Sequence, residues 1–323
     1  MQNADPLKDA QQQAWADPAS VAAWRKWFPK FVVHTRGATD ALLRAAQLAP
    51  GMQVLDLASG SGEPALTLAR LTGPGGHVTA TDLVPAMLAI AEEQAQRLGL
   101  TNMTFQQADA EALPFPDSVF DVVTCRFGII YCPDAGKALR EIHRVLRPGG
   151  RAALVAWGSP DQPFFSTTVG VFARYIQPPP AGASSASRAR AFRAERGSRP
   201  AAQDKDWRAA VPGAGSPEPD PPGTPMPFQF ARPGSLSALL HASGFRQVQA
   251  ETPTIAWEFP GSVEECWDYQ REITGAAFRR VFAALPPELH AQVIDEVLAA
   301  IRKYYDGRQV NYTANIVVAS GVR

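Results

Sequence analysis

Three acids and two glycines are the residues most able to do chemistry. Asp56 lies in the run Val54-Leu55-Asp56-Leu57, just before Ala58-Ser59-Gly60-Ser61-Gly62. Asp82 follows Gly62 by twenty residues, at the end of His77 to Thr81. Asp109 closes a third run, Met103 to Gln107, within Ala108-Asp109-Ala110. Gly60 and Gly62 permit a positive φ or the close approach of a ligand to the backbone. Carboxylates beside such a turn suit a ligand with hydroxyl groups or a positive charge. The spacing Gly60-x-Gly62-x-x-Ala65 also fits a dinucleotide fingerprint, so the glycines alone leave a nicotinamide-dependent oxidoreductase open.

The flanking residues say which elements must hold these groups. Gln53 to Leu57 reads as a strand. Pro64 suits the first turn of a helix, and Ala65, Leu66, Leu68, Ala69 and Leu71 repeat with helical spacing. The helix would present its free N–H groups to whatever rests on the glycine turn. From Gln53 to Trp157 strands and helices alternate: strands at His77 to Thr81, Met103 to Gln107, Phe120 to Cys125 and Arg151 to Trp157, helices at Pro85 to Leu98 and Asp134 to Leu146. That alternation predicts parallel βαβ units. With right-handed crossovers the three acids line one crevice at the carboxyl ends of the strands.

Four ordered segments carry a family resemblance: VLDLASGSGEPALTLA, VTATDLVPAML, QQADAEALPFPDSVFDVVTCRFGIIYCPD and ALREIHRVLRPGGRAALVAW. The stretch Val54 to Trp157, about a third of the chain, resembles class I S-adenosylmethionine-dependent methyltransferases, most closely the ubiquinone/menaquinone-biosynthesis group. The resemblance implies an α/β, Rossmann-like fold with a seven-stranded, mostly parallel sheet, an antiparallel last strand (Asn315 to Ser320) inserted between the fifth and sixth, and a helical lid. It implies S-adenosyl-L-methionine as cofactor. Asp56 would lie near the amino group of its methionine part, and Gly60 and Gly62 beneath that part. Asp82 would take the ribose hydroxyls, Leu83 and Met87 flank the adenine, and Asp109 accept from the adenine amine beside the Ala110 backbone, with Glu111 as a competitor for that role. Arg126 would line the cofactor or substrate side. One departure stands out: Ala58 occupies a position where the family often has glycine, and is small enough for binding to survive.

Methyl transfer to oxygen or activated carbon needs a proton removed, yet no strong base motif is present. His34 and Tyr131 are the catalytic candidates, with Tyr305 behind them. His143 reads as structural. The post-strand loop lacks an Asn-Pro-Pro-Tyr motif, and Cys125 precedes Arg126 rather than following proline, which argues against nucleobase chemistry. The acceptor is expected to be small and hydrophobic: a quinone, phenol, polyketide or similar molecule. A cofactor-binding module without turnover is a second alternative.

Composition sets the outer limits. The 323 residues carry 31 Lys+Arg and 31 Asp+Glu, so net charge gives no reason to expect a nucleic-acid partner. Three cysteines, Cys125, Cys132 and Cys266, form neither a disulfide frame nor a zinc site, and no metal is expected. The polar amino terminus has no signal-peptide core and no membrane span is visible, so the expected compartment is the cytoplasm. Residues 1–50 read as a helical cap with aromatics at Trp24, Trp27, Phe28 and Phe31, split between core packing and a substrate lid. Residues 51–176 form the cofactor-binding core, with a helix from Phe164 to Ile176. Residues 177–227 hold eleven of the 29 prolines and read as a disordered insertion. Residues 228–323 complete the core, with one strand expected within Phe245 to Phe259 and a mostly helical stretch from Val263 to Tyr305 over the crevice. Oligomeric state is not legible.

Overall fold

The computed structural model describes residues 6–175, 227–274, 282–283 and 285–323. The proline-rich insertion therefore lies, Pro227 apart, outside the described residues. Five strands are parallel: β1 (Gln53–Leu57), β2 (His77–Asp82), β3 (Met103–Gln107), β4 (Phe120–Arg126) and β5 (Leu146–Trp157), in the order β3-β2-β1-β4-β5. The order reverses between β1 and β4. That reversal opens a crevice at the carboxyl ends of the strands. β1 and β4 are buried almost throughout, as strands covered by helices on both faces must be.

The helices that cover the sheet follow their apolar periodicity. α4 (Ala65–Thr72) buries Ala65, Leu66, Leu68 and Ala69, and α5 (Pro85–Arg97) buries Met87, Leu88, Ile90 and Ala91. α6 (Ala135–Val145) turns Ala138, Leu139, Ile142 and Val145 inward and starts where the Asp134 side chain accepts from the Lys137 N–H at 2.8 Å. The chain then forms two short helices, α7 (Pro163–Ser166) and α8 (Val169–Ala173), where a single helix was expected. After the undescribed stretch come α9 (Ser235–Ala242) and two strands, β6 (Arg246–Glu251) and β7 (Thr254–Phe259), in place of one. Pro253, which has no N–H to give a ladder, lies between them. α10 (Val263–Ile273) opens on a reciprocal Ser262–Glu265 capping box, and α11 (His290–Arg302) follows a 3₁₀ turn at Pro287–Leu289.

The last strand, β8 (Val310–Val322), is longer than expected and serves three partners. Ile316 to Val322 runs antiparallel to β5, with β6 along its other edge. Val310 to Asn315 pairs with β7. The sheet thus has eight strands rather than seven, with the last one inserted antiparallel between β5 and β6 as expected.

Three helices precede the sheet: α1 (Pro6–Ala16), α2 (Pro18–His34) and α3 (Arg36–Ala46). α1 lies in the polar amino-terminal part of the expected helical cap. α2 is capped by Asp17, whose carboxylate accepts from the Ser20 N–H at 3.0 Å, with Pro18 at its first position. Trp27 of α2 is buried, sets its ring edge against Tyr269 of α10, and donates from Nε1 to Glu272 at 2.7 Å. Between the two readings offered for the cap aromatics, Trp27 is a core residue joining the amino-terminal and carboxyl-terminal helices.

Candidate cofactor and acceptor site

The glycine turn is built where β1 stops. Gly60 has φ +53° and Gly62 φ +116°, both in the region that favours glycine. Space around Gly62 is also tight: a Cβ there would lie 3.1 Å from the backbone of Ala91 on α5. Ala58, where the family often has glycine, holds φ +53° with its side chain exposed. A β-carbon in that conformation costs roughly 1–2 kcal/mol, so the turn carries local strain at Ala58.

Asp82 ties this turn to β2. Its two carboxylate oxygens accept from the Gly60 N–H and the Val84 N–H, each at 2.9 Å. Burial raises its pKa, against the opposing pull of those N–H groups. Asp56 is fully buried, accepting from the Thr124 hydroxyl at 2.6 Å and the Ser59 hydroxyl at 2.7 Å. Burial pushes its pKa up to about 6, although both hydroxyls and Arg126 favour the ionised form. Asp109, at the end of β3, accepts from the Glu111 N–H at 2.9 Å and pairs with Lys8 at 2.7 Å. Met87 belongs to a small apolar cluster with Val84 and Ile90, against which Trp15 and Trp24 pack. The Leu83 carbonyl accepts from Gln107 at 3.0 Å and from Gln12 at 3.2 Å. Asp56, Ala58, Gly60, Gly62, Asp82, Leu83, Met87, Asp109 and Ala110 thus gather around the carboxyl ends of β1, β2 and β3 and the turns that follow them.

Arg126 occupies a different kind of place. Its guanidinium donates to the Thr35 and Thr39 hydroxyls at 2.7 and 2.8 Å and to the Glu63 carbonyl at 2.6 Å, and lies over the Phe31 ring. Buried and multiply bonded, it fastens α2 and α3 to the glycine turn. Sequence reasoning missed Glu63, which is buried nearby with its pKa raised by that burial, and the Ser59–Asp56–Thr124 group. A charged residue immediately after Gly62 was the available signal for Glu63.

The carboxyl ends of β4 and β5 carry aromatic rings instead of acids. Phe127, the residue after β4, has φ +59° and stacks on Trp157, the last residue of β5, at 4.2 Å. Trp157 also stacks on Phe164 at 6.1 Å and meets the edge of Trp257 at 5.1 Å. His34 reaches this layer from the end of α2, 4.8 Å from Trp257 and 5.2 Å from Tyr269. Neither His34 ring nitrogen has a well-formed hydrogen bond, and the Trp257 indole N–H is likewise buried without a partner. Burial lowers the His34 pKa to about 3, against a pull in the other direction from the Glu258 backbone, so the ring is neutral at physiological pH. Tyr131 lies apart from His34, its ring edge-on to Trp15 at 5.9 Å and its pKa raised to about 12 by burial. Tyr305 takes part in a bridge with Val310, at the far end of β8 from β5.

Comparison with known proteins agrees with this architecture. The model of the ubiE/COQ5 methyltransferase family matches residues 23–196. The chain is 39% identical over 127 residues to the ubiquinone/menaquinone biosynthesis C-methyltransferase UbiE of Pectobacterium carotovorum, covering 39% of this chain and 51% of that protein. It is 36% identical over 149 residues to a demethylmenaquinone methyltransferase of Listeria welshimeri, covering 46% and 62%. The chain thus spans about half the length of the curated relatives it matches. Among solved structures, Haemonchus contortus phosphoethanolamine N-methyltransferase 2 in complex with S-adenosyl-L-methionine aligns over 99% of this chain and 60% of its own, with TM-score 0.51 and 16% identity, a likeness of fold. With the family model covering more than half of the sequence, this chain belongs to the ubiE/COQ5 methyltransferase family, whose members depend on S-adenosylmethionine.

Proposed function

We propose that this chain transfers a methyl group from S-adenosylmethionine to oxygen or carbon of a flat, largely apolar acceptor of the quinol, phenol or polyketide type. The observation that carries the reading is a division along one edge of the sheet. Asp56, Asp82 and Asp109 lie at or just beyond the ends of β1, β2 and β3, whereas Phe127 follows β4, after the internally bonded Arg126, and Trp157 ends β5. Polar recognition lies on one side of the reversal in strand order and an aromatic wall on the other.

The residues present fit the cofactor. Gly60 and Gly62 give the turn positive φ angles that bring its backbone to the end of β1, and the Ser61 hydroxyl within it is buried without a protein partner. When bound, S-adenosylmethionine supplies an electrophilic methyl on a sulfonium centre. Asp82 would accept from the ribose hydroxyls and Asp109 from the adenine amine. Asp56, fully buried beneath the turn, would act on the methionyl ammonium chiefly by its field. A neighbouring ammonium would return its pKa toward the usual carboxylate range.

On the acceptor side, neutral His34 can accept a hydrogen bond and the Trp257 N–H can donate one. A hydroxyl on an aromatic ring satisfies both, and leaving both unmet in a buried site costs roughly 1–3 kcal/mol apiece. His34 then orients the hydroxyl rather than acting as a strong base. Neither the dinucleotide reading of the glycine turn nor the module without turnover gains support from the family match.

Titration with S-adenosylhomocysteine tests the cofactor half of the proposal. Asp82→Ala removes a charged acceptor, worth roughly 1.5–3 kcal/mol per hydrogen bond, and should weaken binding about tenfold or more. A folded Asp82→Ala protein that binds with unchanged affinity refutes the assignment. Screening quinols, phenols and polyketides for a one-methyl mass increase tests the acceptor half.

A further inference from the structure

The polar amino-terminal helix makes its contacts on the residues expected to hold adenine. Lys8 of α1 places its ammonium 2.7 Å from Asp109 Oδ2 and 2.7 Å from Glu111 Oε2, with only 16% of its side chain exposed. Glu111 is buried more deeply and accepts through its other oxygen from the Asp134 N–H at 2.9 Å. One turn on, Gln12 donates to the Leu83 carbonyl at 3.2 Å. Trp15 then packs on the Val84–Met87–Ile90 cluster, on Trp24 and on Tyr131. α1 therefore lies across the ends of β2 and β3 and is tied to both.

We propose that Lys8 is a latch: its two ion pairs hold α1 shut over the adenine end of the crevice, and cofactor enters and leaves only when they break. This rests on the cofactor site proposed above. The chemistry of the clasp supports it. One ammonium between two carboxylates relieves their mutual repulsion, so the closed arrangement has a reason to exist without adenine. Both Asp109 oxygens retain a lone pair beside their present partners, so an adenine amine can be accepted with the clasp still made. The latch thus closes over free and bound protein alike, and opening it lies on the route in both directions.

A group that gates passage alters both rate constants; a group that only touches the ligand alters dissociation. Stopped-flow tryptophan fluorescence on the full chain separates the two, with S-adenosylhomocysteine as probe and Trp15 among the seven reporting tryptophans. Lys8→Met should raise the association and dissociation rate constants together, each roughly tenfold or more, the range expected for loss of charged hydrogen bonds. Affinity should change by less than about threefold. Lys8→Arg, which restores the charge, should keep both rates slow. Gln12→Ala leaves the carboxylates paired and frees only the Leu83 tether, so both rates should rise by a smaller factor; this variant carries the test if Lys8→Met does not fold. Dissociation that quickens while association stays unchanged would make Lys8 a ligand-holding group and overturn the latch. Unchanged rates in Lys8→Met and Gln12→Ala overturn it as well. Wild-type protein that binds no S-adenosylhomocysteine refutes the cofactor site, and the latch falls with it.

Discussion

Ala58 and Gly128 meet just beyond the ends of β1 and β4, and their substitutions should not be additive. Ala58 is an exposed L-residue at φ +53°. Gly128 is buried at an ordinary φ of −82°, so only space requires a glycine there. A Cβ on Gly128 would stand 2.4 Å from the Ala58 Cβ and 2.8 Å from Cys125 Sγ. Ala58→Gly relieves roughly 1–2 kcal/mol of left-handed strain and returns about 0.5–1 kcal/mol of freedom to the unfolded chain. Its methyl is exposed, so little burial is lost. The net expectation is a gain of about 0.5–1 kcal/mol, on the order of 1–3 °C in melting temperature, with S-adenosylhomocysteine affinity held within about threefold. Gly128→Ala alone forces two contacts apart and should cost about 2–3 kcal/mol, within the range for overpacking. In the double variant the closer contact disappears while the Cys125 one remains. The double should therefore be more stable than the sum of the singles by about 1 kcal/mol, a coupling typical of residues in contact. Urea denaturation of all four proteins, with midpoints and slopes fitted together, measures the cycle. Additivity within about 0.3–0.5 kcal/mol, or a clear destabilisation by Ala58→Gly, would show that the two β-carbons do not compete for this space.

Two further outcomes follow from burial. Trp27→Ala should cost roughly 3–5 kcal/mol, as truncation of a core aromatic does. Trp27→Phe keeps a ring against Tyr269 but loses the bond to Glu272, which Lys26 still pairs at 3.0 Å, and part of the buried indole under Lys26; it should cost less, about 1–2 kcal/mol. Thermal melting decides, and a Trp27→Ala protein with an unchanged melting point would return this residue to the substrate lid. Asp56 titrates near pH 6 in the folded chain and near 3.8 when unfolded. The folded state then binds the proton more tightly, so this group's contribution is most favourable below about pH 4 and is lost as pH rises through 6. Two pH units correspond to about 2.7 kcal/mol. Asp82 and Glu63, also raised by burial, add in the same sense, so the measurement is the difference between wild type and Asp56→Asn. The variant should show a flatter stability profile between pH 4 and 6; parallel profiles would mean that Asp56 is ionised throughout.

The cofactor side was legible because its information is local. A short apolar run ending in an acid, followed by glycines at two-residue spacing, is a strand and a tight turn whatever surrounds it, and β1, β2 and β3 have the expected extents to within a residue. Parallel order placed the three acids on one edge by topology alone. The second strand after α9 and the length of β8 were less legible. Both depend on β8 offering hydrogen bonds to three partners, and pairing between strands leaves only a weak trace in either sequence. The roles of single side chains depended most on the tertiary structure. Lys8 in a polar amino terminus carries no mark of Asp109, which lies 101 residues away. Arg126 reads as a cation beside a ligand until the hydroxyls of Thr35 and Thr39 are seen to hold it. His34 reads as a base until Trp257, Phe259 and Tyr269 close around it and burial takes its charge away. Residue type and spacing determine what a backbone segment does by itself, but the protonation and partners of a side chain depend on the dielectric and donors brought beside it, and in this chain those come from helices and strands distant in sequence.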